Sequence, residues 1–151
     1  MQCEWYGLHE IDSDLIQYVV MIAEYNDQII IIRNKQRKLW ELPGGKREPN
    51  EDLIQAASRE LYEETGAVRF ELIPFAVYLM NGSYGMMFFA NVNELDELPN
   101  YEIAEIQFVD SLPDNLLYGP VYYEMYSRWM EMKRRHWTSI KVEYAGLIDS
   151  V

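Results

Sequence analysis

The stretch that decides the fold is residues 45–67, GKREPNEDLIQAASRELYEETGA, in which six acidic residues stand against three basic ones. Asn50 is a favourable helix N-cap, and the acidic residues directly after it suit the positive end of a helix dipole. Gly66 is a typical residue at the C-terminal end of a helix. The stretch therefore predicts a helix over residues 51–64 that carries an unusual concentration of carboxylates.

The predicted helix places its carboxylates beside its apolar face. At about 100° per residue, the stripe that faces the core comprises Leu53, Ile54, Ala57 and Leu61. A neighbouring arc comprises Glu60, Glu63 and Glu64, whereas the outward positions hold Gln55, Ser58 and Tyr62. Clustered carboxylates repel one another and are costly to desolvate. The pattern therefore predicts that another group neutralises them.

Two kinds of partner can offset this cost. Arg59 stands one residue before Glu60 and four before Glu63, and the four-residue spacing allows an ion pair on a helix. Carboxylate oxygens also bind hard divalent cations such as Mg²⁺ and Mn²⁺. A solvated acidic helix face is the alternative, but it fits poorly because the acidic residues crowd the buried edge. We therefore expect a metal site on this helix.

The same stretch resembles the signature of the Nudix hydrolases, G-x5-E-x7-R-E-(apolar)-x-E-E-x-G-(apolar). The specified positions are occupied in register by Gly45, Glu51, Arg59, Glu60, Leu61, Glu63, Glu64 and Gly66. Ala67 stands at the last position, where the family usually has a larger aliphatic residue. The resemblance implies an α/β class with the Nudix fold, an α/β/α sandwich around a mixed β-sheet.

The resemblance also implies roles for individual residues. The metal ligands would be Glu60, Glu63, Glu64 and the carbonyl of Gly44, with Mg²⁺ as the expected ion and Mn²⁺ as the alternative. In the same way, Arg59 would orient the glutamates, Glu51 would be the supporting acid at the helix start, and one of the ligand carboxylates could act as the base. Family members also use a further acid from a distant loop, for which we favour Glu102 over Glu105.

The reaction that the resemblance implies is hydrolysis of a nucleoside diphosphate linked to another group. We expect the MutT-like branch, which cleaves a normal or oxidised nucleoside triphosphate to the monophosphate and pyrophosphate. Removal of pyrophosphate from an RNA 5′ end is one alternative, and hydrolysis of dinucleoside polyphosphates, favoured only by Tyr84, is another. A domain that binds nucleotides without catalysis is a third, although none of the signature acids is lost.

Three residues outside the acidic set are candidates for substrate contacts. Arg33 lies at the end of a predicted strand in a basic cluster, and Lys46 follows the two glycines, so both are expected near phosphates. The resemblance implies that Asn115 contacts a purine. Each of these residues can equally be an ordinary surface or turn residue.

The remaining sequence predicts one mixed α/β domain. We expect strands over residues 15–24, 28–33, 68–80, 84–92 and 103–109, and a second helix over residues 120–136. Residues 139–147 are either a further strand or irregular. Because no linker or internal repeat interrupts the chain, a single domain over residues 1–151 is expected.

Charge and composition limit the partners. The chain has 151 residues with 13 basic and 25 acidic ones, and a net charge of −12 disfavours a broad nucleic-acid interface. Residues 94–114 alone hold seven acidic residues and no basic one, which fits convergence with the acidic helix. Cys3 is the sole cysteine, and no membrane span or signal-peptide pattern is recognisable, so a cytoplasmic location is expected. The aromatic second helix could support a homodimer, but a core-facing role is favoured.

Overall fold

The structure is a computed structural model that describes residues 3–135 and 137–144. Its strands are β1 (Glu4–Tyr6), β2 (Ile16–Tyr25), β3 (Gln28–Asn34), β4 (Trp40–Glu41), β5 (Gly44–Lys46), β6 (Ala67–Met80), β7 (Ser83–Leu95), β8 (Ile103–Val109) and β9 (Ile140–Glu143). The α-helices within the described residues are α1 (Leu53–Thr65) and α2 (Gly119–Met132).

The nine strands found among the described residues join one mixed sheet. The central order is β1-β6-β7-β2-β3-β4, while β5 pairs with β2, β8 with β3 and β9 with β6. The β2–β7 pair is parallel, and the other pairs are antiparallel. The predicted mixed sheet is therefore confirmed.

The β2–β3 and β6–β7 hairpin turns have the backbone that their sequences favour. Asn26 and Asp27 adopt φ values of 51° and 65°, and Asn81 and Gly82 adopt 52° and 78°. Turns with positive φ at both central residues match the right-handed twist of the strands that they join. These turns set the β2–β3 and β6–β7 registers.

The helices cover opposite faces of the sheet. Residues of α1 pack with one buried cluster and residues of α2 with the other, namely Leu53, Ala56, Ala57 and Leu61 against Val121, Tyr122, Met125 and Trp129. On β3, Ile30 belongs to the first cluster and Ile31 to the second, as the alternation of a strand requires. This arrangement is the α/β/α sandwich expected from the resemblance.

The start of α1 differs from the prediction. Asp52, not Asn50, is the N-cap: its side chain accepts a hydrogen bond from the Gln55 backbone N–H, and the Gln55 side chain accepts one from the Asp52 N–H. This reciprocal capping box favours Asp52 over Asn50 as the N-cap of the helix. Asn50 instead adopts φ of 67° in the preceding turn. At the other end, Gly66 closes the helix in the left-handed region, as predicted.

Two further boundaries also differ. The second helix ends at Met132, short of the predicted residue 136, and His136 lies outside the described residues. Of the two alternatives for residues 139–147, the strand is the one observed, as β9, and residues 145–147 also lie outside the described part of the chain. In α2, Tyr122 and Trp129 are buried, and Trp129 stacks on Phe89 with ring centroids 4.4 Å apart, so this aromatic face belongs to the core.

Neither helix in the described parts of the chain has the length and apolarity needed to cross a membrane.

Candidate active site

Arg59 on α1 is the centre of an ion-pair network. Its guanidinium donates two hydrogen bonds to Glu51, at 2.6 and 2.9 Å, and its Nη1 donates to Glu60 at 2.8 Å and to Glu63 at 3.0 Å. Its Nη2 also donates to the backbone carbonyl of Lys46 at 3.2 Å. One arginine therefore fixes three carboxylates and joins α1 to β5.

Glu51 anchors this network from the turn before α1. Besides the fork from Arg59, its carboxylate accepts the backbone N–H of Glu48 at 3.0 Å. The hydrogen bonds from Arg59 hold the pKa of Glu51 below its ordinary value. Glu51 therefore holds the Arg59 guanidinium in place, and its role as the supporting acid stays a prediction.

Glu64 connects the same helix to the glycine pair. Its carboxylate accepts the backbone N–H of Gly44 at 2.7 Å. Burial raises the pKa of Glu64 to about 9, although the Gly44 hydrogen bond acts in the opposite direction. A Cβ at Gly45 would collide with the carboxylate of Glu60. The absence of a side chain at Gly45 therefore allows the β5 backbone to pass directly against Glu60, and at Gly44 it allows close approach to the β2 backbone.

The acidic side chains line a cavity of about 230 Å³, which we call the acid cavity. Its lining comprises Glu48, Arg59, Glu60, Glu63, Glu64, Tyr101, Glu102 and Ile103. Glu102, at the start of β8, thus reaches the α1 acids from a distant part of the sequence. Glu105 instead forms an ion pair with Arg33 at 2.8 Å on the β3–β8 pair. The structure therefore brings Glu102 to the cavity and holds Glu105 against Arg33.

The donor set of the acid cavity suits a hard divalent cation. Five carboxylates face one guanidinium, and burial raises the pKa of Glu60 to about 7. Clustered carboxylates with an excess of negative charge are the oxygen donors that Mg²⁺ and Mn²⁺ prefer. Within residues 3–135 and 137–144, no three such side chains already surround one point at ligand spacing, and Glu60 and Glu63 share the Arg59 Nη1 instead. The acid cavity therefore fits a cation in the chemistry of its donors and in its charge, and not through a preformed set of ligands.

A second cavity, of about 400 Å³, lies on the α2 side of the glycine pair. We call it the aromatic cavity. Its lining includes Tyr18, Tyr78, Tyr118 and Tyr122 together with Gly44, Gly45, Arg37 and Glu41. Glu41 is buried, and its two carboxylate oxygens accept hydrogen bonds from Arg37 at 2.9 and 3.2 Å.

The aromatic cavity is not recognisable from the sequence alone. Its walls come from β2, β4, β5, β6, β7 and α2, which no single motif connects. One signal was available: Glu41 is an acid between Trp40 and Leu42 in a short apolar stretch. A charged residue in such a place is rarely buried without a partner.

The predicted substrate contacts lie at different distances from the cavities. Lys46 is exposed on β5, where it lines an adjoining surface pocket together with Glu60. Arg33 is held by Glu105, so a phosphate would have to compete with that carboxylate. Asn115 is exposed outside the lining of both cavities, and its backbone carbonyl accepts the N–H of Trp40 at 3.2 Å. The roles of these three residues stay predictions.

Comparison with known proteins defines the family. The model of the NUDIX domain matches residues 15–117. A Bacillus subtilis (strain 168) protein, provisionally named 8-oxo-dGTP diphosphatase YtkD, is 31% identical over 109 residues, which cover 69% of this chain and 68% of that protein. The chain belongs to the NUDIX family, and the resemblance found in the sequence is confirmed.

Two further known proteins resemble this chain, one over a short stretch of sequence and one in its fold. Another Bacillus subtilis protein, provisionally named an 8-oxo-dGTP diphosphatase, is 43% identical over 47 residues, which cover 31% of this chain and 32% of that protein. Short matches of this kind cover only 11% to 32% of the relatives concerned. The crystal structure of a Bacillus subtilis pyrophosphohydrolase superposes with a TM-score of 0.68 at 22% identity, covering 83% of this chain and 90% of the other. That similarity confirms the fold.

Proposed function

We propose that this chain is a Nudix pyrophosphohydrolase that uses a divalent cation to cleave a nucleoside triphosphate, normal or oxidised, to the monophosphate and pyrophosphate. The observation that carries the proposal is the position of Gly44 and Gly45 between two unlike cavities. Both line the aromatic cavity, while Gly44 contacts Glu64 and Gly45 lies against Glu60. Such a pair of cavities accommodates a nucleotide, with its polyphosphate chain at the acidic residues and its base among the tyrosines.

The acid cavity would hold the cation through Glu60, Glu63, Glu64 and the Gly44 carbonyl. When bound, Mg²⁺ or Mn²⁺ would neutralise the polyphosphate and polarise the phosphorus that water attacks. Arg59 keeps Glu60 and Glu63 oriented, and Glu51 keeps Arg59 oriented. Among the acids that line the cavity, Glu102 approaches from β8 rather than from α1, and we assign to its carboxylate the proton of the attacking water.

The remaining predicted contacts complete this proposal. The Lys46 ammonium would bind a phosphate beside the glycine pair, and the Arg33 guanidinium would do so by exchanging Glu105 for substrate. Asn115 would contact the base at the margin of the site. A cytoplasmic location, a homodimer and a single domain over residues 1–151 also stay predictions.

A substrate panel tests the proposal. The protein is incubated with Mg²⁺ and 8-oxo-dGTP, the four ordinary dNTPs, triphosphorylated RNA, a dinucleoside polyphosphate or ADP-ribose, and the products are separated by chromatography. We expect a nucleoside triphosphate to yield monophosphate and pyrophosphate. Preferential cleavage of the RNA 5′ end or of a dinucleoside polyphosphate would replace the proposed substrate, and no cleavage of any compound would favour a binding module.

A further inference from the structure

The aromatic cavity contains a charged pair that the proposed hydrolysis does not use. The side chain of Glu41 is 11% exposed, whereas that of Arg37 is 53% exposed. Arg37 offsets the charge of the buried carboxylate from the solvent side. Because an unpaired buried carboxylate is unfavourable, the ion pair with Arg37 is what compensates the burial of Glu41 inside the cavity.

Each oxygen of Glu41 still has acceptor capacity. One oxygen accepts from the Arg37 Nε and the other from its Nη2. An ionised carboxylate offers about four acceptor sites, so two remain for a ligand. A carboxylate held in this way presents two adjacent acceptors and no donor.

The walls around Glu41 suit a flat heterocycle. Tyr18, Tyr78, Tyr118 and Tyr122 line the cavity, and the rings of Tyr118 and Tyr122 meet edge to face with centroids 5.8 Å apart. Aromatic side chains stack on bases without strong preference for one base. The volume of about 400 Å³ lies within the range of about 300–1,000 Å³ usual for ligand pockets. Stacking supplies affinity here, so base preference must come from the polar groups.

We propose that Glu41, positioned by Arg37, is the residue that selects the base, and that it selects guanine-type bases. This inference rests on the proposed function. The Watson–Crick edge of guanine has two adjacent donors, N1–H and the exocyclic N2 amine, which match the two free acceptor positions. In adenine and cytosine the ring nitrogen beside the exocyclic amine is an acceptor and would face the carboxylate. Oxidation at C8 leaves the guanine donors in place.

Hydrogen bonds to an ionised group are stronger than those between neutral groups, so they discriminate more strongly between bases. Loss of one donor leaves a buried charge short of a partner. Inosine lacks the N2 amine but keeps N1–H, so it isolates one of the two proposed bonds. The competing interpretation is that the Glu41–Arg37 pair only fixes β4 against the preceding loop. In that case base preference would not depend on the carboxylate.

Calorimetric binding of nucleoside monophosphates tests the inference. The probes are GMP, IMP and AMP, measured on the wild-type protein, on Glu41→Gln and on the matched control Glu131→Gln, which alters an exposed glutamate of α2. We expect wild type and control to bind GMP at least about tenfold more tightly than IMP or AMP, in line with bidentate base recognition. In Glu41→Gln the preference for GMP should fall below about twofold, and AMP should gain because an amide offers one donor and one acceptor.

Equal affinities for GMP and IMP in the wild type, no binding of any probe, or an unchanged preference in Glu41→Gln would overturn the inference. If Glu41→Gln fails to fold, 1-methyl-GMP with the wild-type protein replaces it, since methylation removes the N1–H donor, and equal binding of GMP and 1-methyl-GMP would again contradict the inference. Monophosphates carry no pyrophosphate bond. A protein that prefers GMP but hydrolyses no triphosphate would therefore overturn only the proposed hydrolysis.

Discussion

The acid cavity and the aromatic cavity are each built around an arginine–glutamate contact, but their charge balance is opposite. Arg59 has a side chain that is 16% exposed and shares its donors among Glu51, Glu60 and Glu63. Arg37 is half exposed and pairs with Glu41 alone. The first arrangement leaves more carboxylates than cations, and the second pairs one carboxylate with one cation. The difference indicates that the acid cavity recognises its ligand by charge, whereas the aromatic cavity recognises its ligand by the pattern of hydrogen-bonding groups.

Variants of the acid cavity should cause the largest losses. We expect Glu63→Gln or Glu64→Gln to lower kcat at least about a hundredfold, because each removes a carboxylate that would hold the cation at the reacting phosphate. Steady-state kinetics on variants whose circular dichroism matches wild type provides the measurement. Glu131→Gln serves as the control and should retain full activity. Near-normal rates in both Glu63→Gln and Glu64→Gln would contradict the assignment of the chemistry to the acid cavity.

Loss of the Arg59 fork should have the next largest effect. Arg59→Lys keeps the positive charge but cannot hold Glu51 with two parallel hydrogen bonds while also reaching Glu60 and Glu63. We expect a loss of about 10–100-fold in activity, the range found for groups that orient metal ligands, with a rise in the Mg²⁺ concentration required for half-maximal rate. An unchanged Mg²⁺ requirement would mean that Arg59 only stabilises the fold.

Substitution of Arg37 should affect substrate binding rather than chemistry. In Arg37→Lys the Glu41 carboxylate keeps a nearby charge but loses its fixed orientation. We expect KM for a guanine nucleotide to rise about tenfold while kcat stays within about twofold, the signature of lost uniform binding. A fall in kcat with KM unchanged would place Arg37 in the chemistry and contradict the assignment of separate tasks.

The smallest expected effect is on the pH dependence of stability in the absence of a cation. The pKa of Glu60 is raised to about 7 and that of Glu64 to about 9. A carboxyl group with a raised folded-state pKa contributes stability that is complete below its unfolded value near 4.5 and is lost as the pH rises through the folded value. We therefore expect Tm in EDTA to fall between about pH 5 and about pH 9.

Glu51 acts in the opposite direction at lower pH. Its lowered pKa contributes stability above the unfolded value of about 4.5 that is lost as the pH falls through the folded value. Thermal melts with and without Mg²⁺ provide the measurement, and Mg²⁺ should raise Tm more at the alkaline end. Glu64→Gln should flatten the decline. A Tm that rises towards alkaline pH in EDTA would contradict the burial assigned to Glu60 and Glu64.

The sequence predicted the acid cavity better than the aromatic one for a physical reason. Half of the acid-cavity residues lie on one helix, so their spacing places them together whatever the rest of the chain does. The aromatic cavity depends on the sheet order, which brings Tyr18, Glu41 and Tyr122 together from three different elements. No local pattern contains that information. Helix boundaries were also imperfect, because the Asp52–Gln55 capping box outcompetes Asn50.

Contacts between residues far apart in the sequence also depend on the sheet order and not on local spacing. Glu102 was favoured over Glu105 by resemblance alone, and the β3–β8 register decides which of the two lies in the cavity, since it places Glu105 opposite Arg33. Ser58 and Tyr62 were predicted to face outward, yet Ser58 is buried and Tyr62 stacks on Tyr144, with ring centroids 4.8 Å apart. The chain beyond α2 returns to that side of α1, which the period of the helix cannot reveal.

Calorimetric titration with Mg²⁺ tests whether the acid cavity holds a catalytic divalent cation. Wild type and Glu131→Gln should show saturable binding at physiological Mg²⁺ concentrations, and Glu63→Gln and Glu64→Gln should lose it while remaining folded. Arg37→Lys should bind Mg²⁺ as wild type does, since the aromatic cavity takes no part. Absence of binding in the wild type, or equal binding in all variants, would contradict the account.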